Sequence, residues 1–323
     1  MRVSAVIPHW NRRDLLQSLL KNLGEQQQPF DEIIVADNGS TDDSAAVAER
    51  AGVRVLRLGS NLGFAAAVNR GIEAATGDWL AILNNDVTLD SAWLATLLDC
   101  AGQASFAAGK ILSARDPGTI DGTFDEISRG ACAYRCGSDR PDSPLWNQPR
   151  PIRFAPMTAA LFRKKLFQDV GLLDERFGSY LEDVDFGIRC SIRGFSGIYV
   201  PDAVSHHLGS ATQGAWNSDT VAAIARNQIL LAAKHFRGLP RWPIVAGQLL
   251  WAVPALRHRR VIAWLRGKIS GLQYARQVCG DSLADQEDGF RKILEASERS
   301  IFEIQQQTGF DWYWRAYFWL LRR

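Results

Sequence analysis

Apolar, largely β-branched runs at residues 3–7, 32–36, 53–58 and 79–83 each end in polar or glycine-rich turns, and helix-period stretches at residues 12–26, 44–51 and 64–75 separate them. Consecutive apolar positions suit strands buried on both faces. The strand–helix–strand rhythm predicts an α/β fold, a mainly parallel sheet flanked by helices. Ligands in such sheets bind beyond the carboxyl ends of the strands. Four polar clusters fall there: Pro8-His9-Trp10-Asn11, Asp37-Asn38-Gly39-Ser40, Ser60-Asn61-Leu62-Gly63 and Asn84-Asn85-Asp86.

From residue 116 to 151 the periodicity fails and Gly, Pro, Asp and Arg accumulate. This reads as a variable loop region over a site, where acceptor contacts are expected. Order returns at residues 157–162, followed by a short helix at Lys164–Val170, an acidic block at residues 180–189, a strand at residues 197–200 capped by Pro201, and a helix at residues 221–236. The pattern predicts a catalytic domain over residues 1–236 and a basic, Trp-rich helical region over residues 237–323.

Composition adds that a full core can be buried: 46% of residues are apolar and 22% charged, which excludes global disorder. The net charge of +2 hides an asymmetry. Residues 220–280 carry ten Lys or Arg and no Asp or Glu; removing these from the 37 basic residues leaves 27 against 35 acidic ones elsewhere. An acidic body thus carries one basic segment. Five cysteines (Cys100, Cys132, Cys136, Cys190 and Cys279) lack metal-type CxxC pairs, which predicts reduced thiols and a cytoplasmic setting. Cys132 and Cys136 have the spacing of one helix face, yet a loop pair or buried thiols fits better than zinc, since no further ligands cluster near them. The N-terminus reads as a first strand, with no export signal.

Several residues carry candidate chemistry. Asp37 closes a strand ahead of small residues that let a ligand approach, and can accept hydrogen bonds from a base or ribose; a tight turn with a capped helix is the plainer alternative. Asp86 emerges at the same edge, where one carboxylate with phosphate oxygens and waters can hold Mg²⁺ or Mn²⁺; an Asx turn is its alternative. His206 and His207 offer an imidazole ligand, with a structural role as the alternative. In the acidic block Asp185 and Arg189 are spaced for an i,i+4 pair, and carboxylates suit a helix start. The adjacent Glu182 and Asp183 are explained less well that way. Crowded carboxylates raise one another's pKa, as suits a base that takes a hydroxyl proton.

The chain resembles family 2 glycosyltransferases of GT-A (Rossmann-like) fold, and among them rhamnosyltransferase-like enzymes of bacteria. The resemblance runs from residue 3 to 236 through Pro8-His9-Trp10-Asn11-Arg12, Ala36-Asp37-Asn38-Gly39-Ser40-Thr41-Asp42, Asn61-Leu62-Gly63-Phe64-Ala65 with Asn69, and Leu83-Asn84-Asn85-Asp86-Val87. It continues through Asp174-Glu175-Arg176-Phe177, Glu182-Asp183-Val184-Asp185 with Arg189, and His207-Leu208-Gly209-Ser210. It implies that Pro8, Trp10, Asn11, Asp37, Asn38 and Gly39 border the base and ribose of a nucleotide sugar. Asn61, Gly63 and Asn69 would lie nearer ribose and phosphates, and Asn84, Asn85 and Asp86 would complete the donor site. It further implies Asp86 and His207 as ligands of a divalent cation, Mg²⁺ or Mn²⁺, and Asp183 as general base, tuned or oriented by Glu182, with Asp185 and Arg189 in support. The family's metal motif often begins with Asp where Asn84 stands.

The implied reaction is an inverting, metal-assisted transfer of a sugar, rhamnose from dTDP-rhamnose, to a hydroxyl of a glycan or lipid-linked acceptor in cell-surface polysaccharide synthesis. Residues 242–256 lack charge but are too short for confident membrane crossing, which needs ~20 apolar residues. Arg257, Arg259, Arg260, Arg266 and Lys268 interleave with Trp251 and Trp264, the composition of a segment on an anionic membrane surface. This predicts a peripheral protein at the inner face of the cell membrane. A packed helical subdomain or an oligomer is the alternative for this region. No nucleic-acid module is present. An alternative for the whole chain is a catalytically weak nucleotide-sugar-binding assembly partner at the membrane.

Overall fold

The computed structural model describes residues 1–209, 216–278 and 287–321; Ser210 and Cys279, named above, lie outside them. The N-terminal alternation folds as β1 (Val3–His9), α1 (Arg13–Gly24), β2 (Glu32–Asp37), α2 (Ser44–Arg50), β3 (Arg54–Arg57), α3 (Phe64–Ala74) and β4 (Trp79–Leu83). These strands pair in parallel in the order β3-β2-β1-β4. β1 and β4 are buried at every residue, as central strands covered on both faces must be. Gly71 lets α3 lie close on β1, since a Cβ there would fall 2.2 Å from the Cγ1 of Val6.

Beyond β4 the chain forms β5 (Val87–Leu89), α4 (Trp93–Ala101), β6 (Phe106–Ser113), β7 (Thr119–Gly122), β8 (Asp125–Ile127), β9 (Ala133–Arg135), β10 (Arg140–Pro141), β11 (Arg150–Ile152), β12 (Ala159–Arg163), α5 (Lys164–Val170), α6 (Glu182–Ile192) and β13 (Gly197–His207). β12 enters antiparallel between β4 and β6. The sheet is therefore mixed, with eleven strands among the described residues and helices about it.

Two expectations change. Residues 116–151 are not a loop region: they carry β7 to β11, strands of two to four residues. Elements this short hold too few residues for a period of two to show. The strand expected to stop before Pro201 runs on to His207. Its register on β6 slips between Val200 and Val204, and a bulge is where a strand tolerates Pro.

The described chain forms two compact units: residues 1–124 with 137–209, and residues 125–136 with 216–321. The second holds the β8–β9 hairpin, α7 (Ser218–His235), α8 (Arg241–Arg257), α9 (Val261–Val278), α10 (Glu287–Thr308) and α11 (Trp312–Leu320). Helix α7 belongs here, before the expected 236/237 boundary, because it packs along α9. Gly267 permits that approach, since a Cβ there would meet the Ala222 carbonyl oxygen at 2.2 Å. Asn217 caps α7 by accepting from the backbone of Asp219 and Thr220.

Part of the expected basic surface lies inside this unit. Lys268 is buried, donates to the Ala225 carbonyl at 3.0 Å, to Gln228 at 2.8 Å and to Gln248, and burial pulls its ammonium down to about 8. The Arg260 guanidinium bonds the Trp216 carbonyl, while Trp251 and Trp264 pack on Val221, Ala255 and Ala263. Cys132 and Cys136 share no helix face: they flank β9 as buried thiols outside any disulfide. Among the described residues no helix is long and apolar enough to cross a membrane.

Candidate active site

The parallel register sets His9 beside Asp37, so the polar segments after β1 and β2 leave the sheet together. Asn11 and Arg12 both take left-handed backbone (φ 54° and 62°). That conformation costs a non-glycine residue ~1 kcal/mol or more and is held only by its surroundings. The hold is visible: the Asn11 backbone donates to Ser40 Oγ at 2.8 Å, and its side chain accepts from the Thr41 backbone at 2.9 Å. Asp37 is buried and accepts from the Ser40 backbone at 3.3 Å. Gly39 has φ +76°, and a Cβ on it would meet the Ser60 Cα at 2.6 Å, which fastens the turn to residues 60–63. Pro8 is buried within β1, and Trp10 is half-buried beyond its end.

The structure occupies two of the expected donor-site amides internally. Asn38 donates to Asn61 and to the Gly63 carbonyl, both at 3.0 Å, and accepts from the Leu62 backbone at 2.8 Å. Asn69 is buried, donating to the Leu173 carbonyl at 2.9 Å and to Glu175, and accepting from the Leu173 backbone. Both shape the rim. Gly63 (φ +91°) sits where a Cβ would lie 3.0 Å from the Gly178 Cα, and the Ala65 backbone donates to the Gly178 carbonyl. The segment preceding α6 is thereby tied to the start of α3.

Asn84, Asn85 and Asp86 follow β4 directly. The Asn85 side-chain amide and Nδ1 of His9 lie 2.9 Å apart, a hydrogen bond that ties the end of β1 to the turn after β4. His9 is 2% exposed, and burial lowers it to about 4 against the pull of Asp37, Asp42 and Asp14. It is a neutral strut under the Asn85 amide.

Antiparallel pairing of β13 with β5 sets His207 opposite Val87, and so beside Asp86. The His207 Nε2 lies 3.1 Å from Asp86 Oδ1, while its Nδ1 lies 3.0 Å from Oδ2 of Asp121, brought in by the β6–β7 hairpin. Burial pulls this imidazole down, but the hydrogen bonds of Asp121 and Asp86 outweigh it and raise it to about 9. Neighbouring strand residues face opposite ways. His206 accordingly turns to Asp90, 3.4 Å away, so of the two histidines only His207 faces Asp86.

This donor set fits a divalent cation. An imidazole held at Nδ1 by a carboxylate presents Nε2 as the ligating atom, the usual outer-shell arrangement of metal-bound histidine. Nε2 faces Asp86 Oδ1, and the two carboxylates raise the imidazole, so positive charge is stabilised at this place. Among the described residues no group of three or more His, Cys, Asp or Glu forms a cage for an ion. One carboxylate and one imidazole leave ligand positions for phosphate oxygens and water.

Helix α6 follows two further left-handed residues, Tyr180 (φ 74°) and Leu181 (φ 67°). Glu182 is buried and Asp183 half-buried, with Asp183 Oδ1 accepting from the Val184 backbone at 2.8 Å. Asp185 is fully buried and pairs with Arg189 at 2.9 Å, the expected i,i+4 contact. Arg189 also donates to the carbonyls of Val170 and Leu172, so this pair anchors α6 to the end of α5. Sequence reasoning passed over His9 and Asp121. His9 stood inside a quoted motif, whereas nothing local marks Asp121.

Five likenesses bear on the family and the fold. The profile of Glycosyl transferase family 2 matches residues 4–171. The N-acetylglucosaminyl-diphospho-decaprenol L-rhamnosyltransferase of Mycobacterium tuberculosis (strain ATCC 25618 / H37Rv) is 32% identical over 245 residues, covering 66% of this chain and 79% of that protein. The pre-mycofactocin glycosyltransferase of the same strain is 29% identical over 64% of this chain and 42% of its own length. Among solved structures, GalNAc-T7 with UDP, GalNAc and Mn²⁺ aligns with a TM-score of 0.66 at 14% identity, over 96% of this chain and 58% of that one. The mannosyltransferase PcManGT of Pyrobaculum calidifontis, with GDP-Man and Mn²⁺, aligns at 0.54 and 18%, over 98% and 85%. The structural likenesses show the fold, that of GT-A glycosyltransferases.

Proposed function

This chain belongs to glycosyl transferase family 2 and is a glycosyltransferase, and we propose that it moves rhamnose from dTDP-rhamnose, with inversion, to a hydroxyl of a lipid-linked glycan. The observation that carries the chemistry is the Asp86–His207–Asp121 line at the carboxyl edge of the sheet, in one compact unit with the acidic start of α6. The named activity of the mycobacterial relative supports the sugar and the lipid-linked acceptor.

The residues after β1 and β2, with Asn61 and Gly63, receive the nucleotide, and Asn84 to Asp86 its diphosphate end. Asp183 takes the acceptor's hydroxyl proton as that oxygen bonds the anomeric carbon. The carbon–phosphate-oxygen bond breaks on the opposite face, and its electron pair departs with the nucleoside diphosphate. One displacement inverts the anomeric centre. Asp86 and His207 would hold Mg²⁺ or Mn²⁺, with Asp121 orienting His207; such an ion supplies charge stabilisation to a diphosphate leaving group. Glu182, buried beside Asp183, orients the helix start, and Asp185 with Arg189 fixes the helix. The setting is the cytoplasmic face of a membrane, where cell-surface polysaccharide precursors carried on lipid are extended.

A thermal-shift screen of nucleotide sugars, with and without Mn²⁺ or Mg²⁺, tests the donor, since a bound donor raises the melting temperature by mass action. dTDP-rhamnose should give the largest shift, and transfer to a lipid-linked acceptor should follow. Preference for a UDP- or GDP-sugar would overturn the rhamnosyl reading.

A further inference from the structure

Helix α8 is mostly apolar on both sides, with one polar residue, Gln248, on its inner side. Pro243, Gly247, Gln248 and Ala255 face into the second unit, while Trp242, Val245, Leu249, Val253 and Leu256 face out. A helix that is apolar all round belongs in a core or against another apolar phase. Here one side has found the core and the other is open. Between α8 and α11 runs a groove of about 520 Å³ lined by Trp242, Val245, Ala246, Leu249, Leu250 and Leu320. Trp319 at the end of α11 stands 75% exposed. Helix α9 shows a second open stripe, Ile262, Leu265, Ile269 and Leu272, at spacings of three and four. Soluble proteins seldom leave contiguous apolar surface of this kind unless something covers it.

The charge at the ends of α8 identifies the cover. Arg241 begins the helix, Arg257 ends it and Arg259 follows just beyond, all three are exposed, and residues 220–280 include no acidic side chain. An arginine in the first turn works against the helix dipole, so helix stability does not account for Arg241. A second copy docked on this face would set arginines against arginines in either orientation, because both ends of α8 are basic. A bilayer with anionic headgroups offers negative charge for the arginines and acyl chains for the leucines and tryptophans. At 17 residues, about 25 Å, α8 is shorter than a spanning helix and suits the plane of the interface.

We propose that the open face of α8, with the groove against α11 and the stripe of α9, seats the protein on an anionic membrane surface. This extends the reading of a lipid-linked acceptor and is tested apart from it, using vesicles that contain no acceptor. The full chain should float with phosphatidylcholine vesicles that include phosphatidylglycerol, remain below vesicles of phosphatidylcholine alone, and be released by high salt. Arg257→Gln with Arg259→Gln should weaken binding by about five-fold per charge removed. Leu249→Glu with Ile269→Glu should abolish it. These positions are exposed, so melting temperature and donor hydrolysis should stay unchanged. Flotation that ignores lipid charge or survives both double variants would overturn the proposal, as would failure to float with anionic vesicles. A wild-type dimer that Leu249→Glu converts to monomer would assign the face to a second copy instead. Transfer to a lipid-linked acceptor in detergent judges the acceptor reading separately.

Discussion

Asp121 holds the Nδ1 of His207 at 3.0 Å, on the ring edge opposite the nitrogen that faces Asp86. The contact fixes both the ring's orientation and the tautomer it adopts once Nε2 is required as a ligand. Removing such an outer partner costs roughly 10–100-fold in metal affinity. Asp121→Ala should therefore bind Mn²⁺ in that range more weakly by titration calorimetry, and should also lower donor-free stability, because His207 loses the carboxylate that raises it. Asp121→Asn, which still accepts from Nδ1 but lacks the charge, should fall between. Equal Mn²⁺ affinity in all three proteins would separate Asp121 from the cation site.

Asp183 is the half-buried carboxylate beside buried Glu182, and its Oδ1 already accepts from the Val184 backbone. That bond orients the group and leaves Oδ2 for an acceptor proton. General-base catalysis contributes roughly 10²–10⁴-fold. Asp183→Asn should lower transfer by about that factor at unchanged donor affinity, measured as kcat against a donor Kd from calorimetry. Full turnover in this variant would remove Asp183 from the base role.

Gly63 joins the two rims of the site, with a Cβ there falling 3.0 Å from the Gly178 Cα and φ at +91°. The backbone of Gly63, at φ 91° and ψ 170°, is one that essentially only glycine adopts, and here the neighbouring atom is backbone and cannot swing aside. Gly63→Ala should lower the melting temperature and weaken donor binding together. Gly59→Ala is the control: it has similar positive φ but open space around its Cβ direction, so stability should fall without an equal loss of donor affinity.

How much of this was legible depended on whether an element's cause was local. β4 and α5 appear with the bounds expected, because an apolar run with polar flanks and a helix start after Arg163 are written in adjacent residues. The Asp185–Arg189 pair was legible for the same reason. Strands β7 to β11 were hidden since each has few residues, and β11 depends on a distant partner, β13. Asp121 was hidden more deeply, for its role arises from the register of one hairpin and it meets a histidine 86 positions away. The basic, Trp-rich tail was legible as composition only. Which residues face outward was decided by packing: Lys268 and Trp264 turn in while Leu249 and Ile269 turn out.

His9 supplies a pH dependence that can be worked out in sign. Burial lowers its imidazole from 6.5 to about 4 in the folded protein. Above pH 6.5 neither state binds the proton, and His9 contributes no slope. As pH falls from 6.5 toward 4 the unfolded chain takes up a proton that the native state refuses, so stability falls through that window and levels off once the native imidazole also titrates. The difference amounts to roughly 3 kcal/mol at most. Glu32 and Asp42, whose folded carboxyls titrate below their ordinary values of 4.5 and 3.8, begin to lose their contribution as pH falls past those values, so the His9 effect stands apart from theirs between pH 6.5 and 4.5. His9→Asn keeps an acceptor for the Asn85 amide and removes the titration. Denaturant unfolding at a series of pH values should therefore show a flatter profile between 6.5 and 4 in this variant, and an unchanged slope would mean that His9 is not the residue responsible.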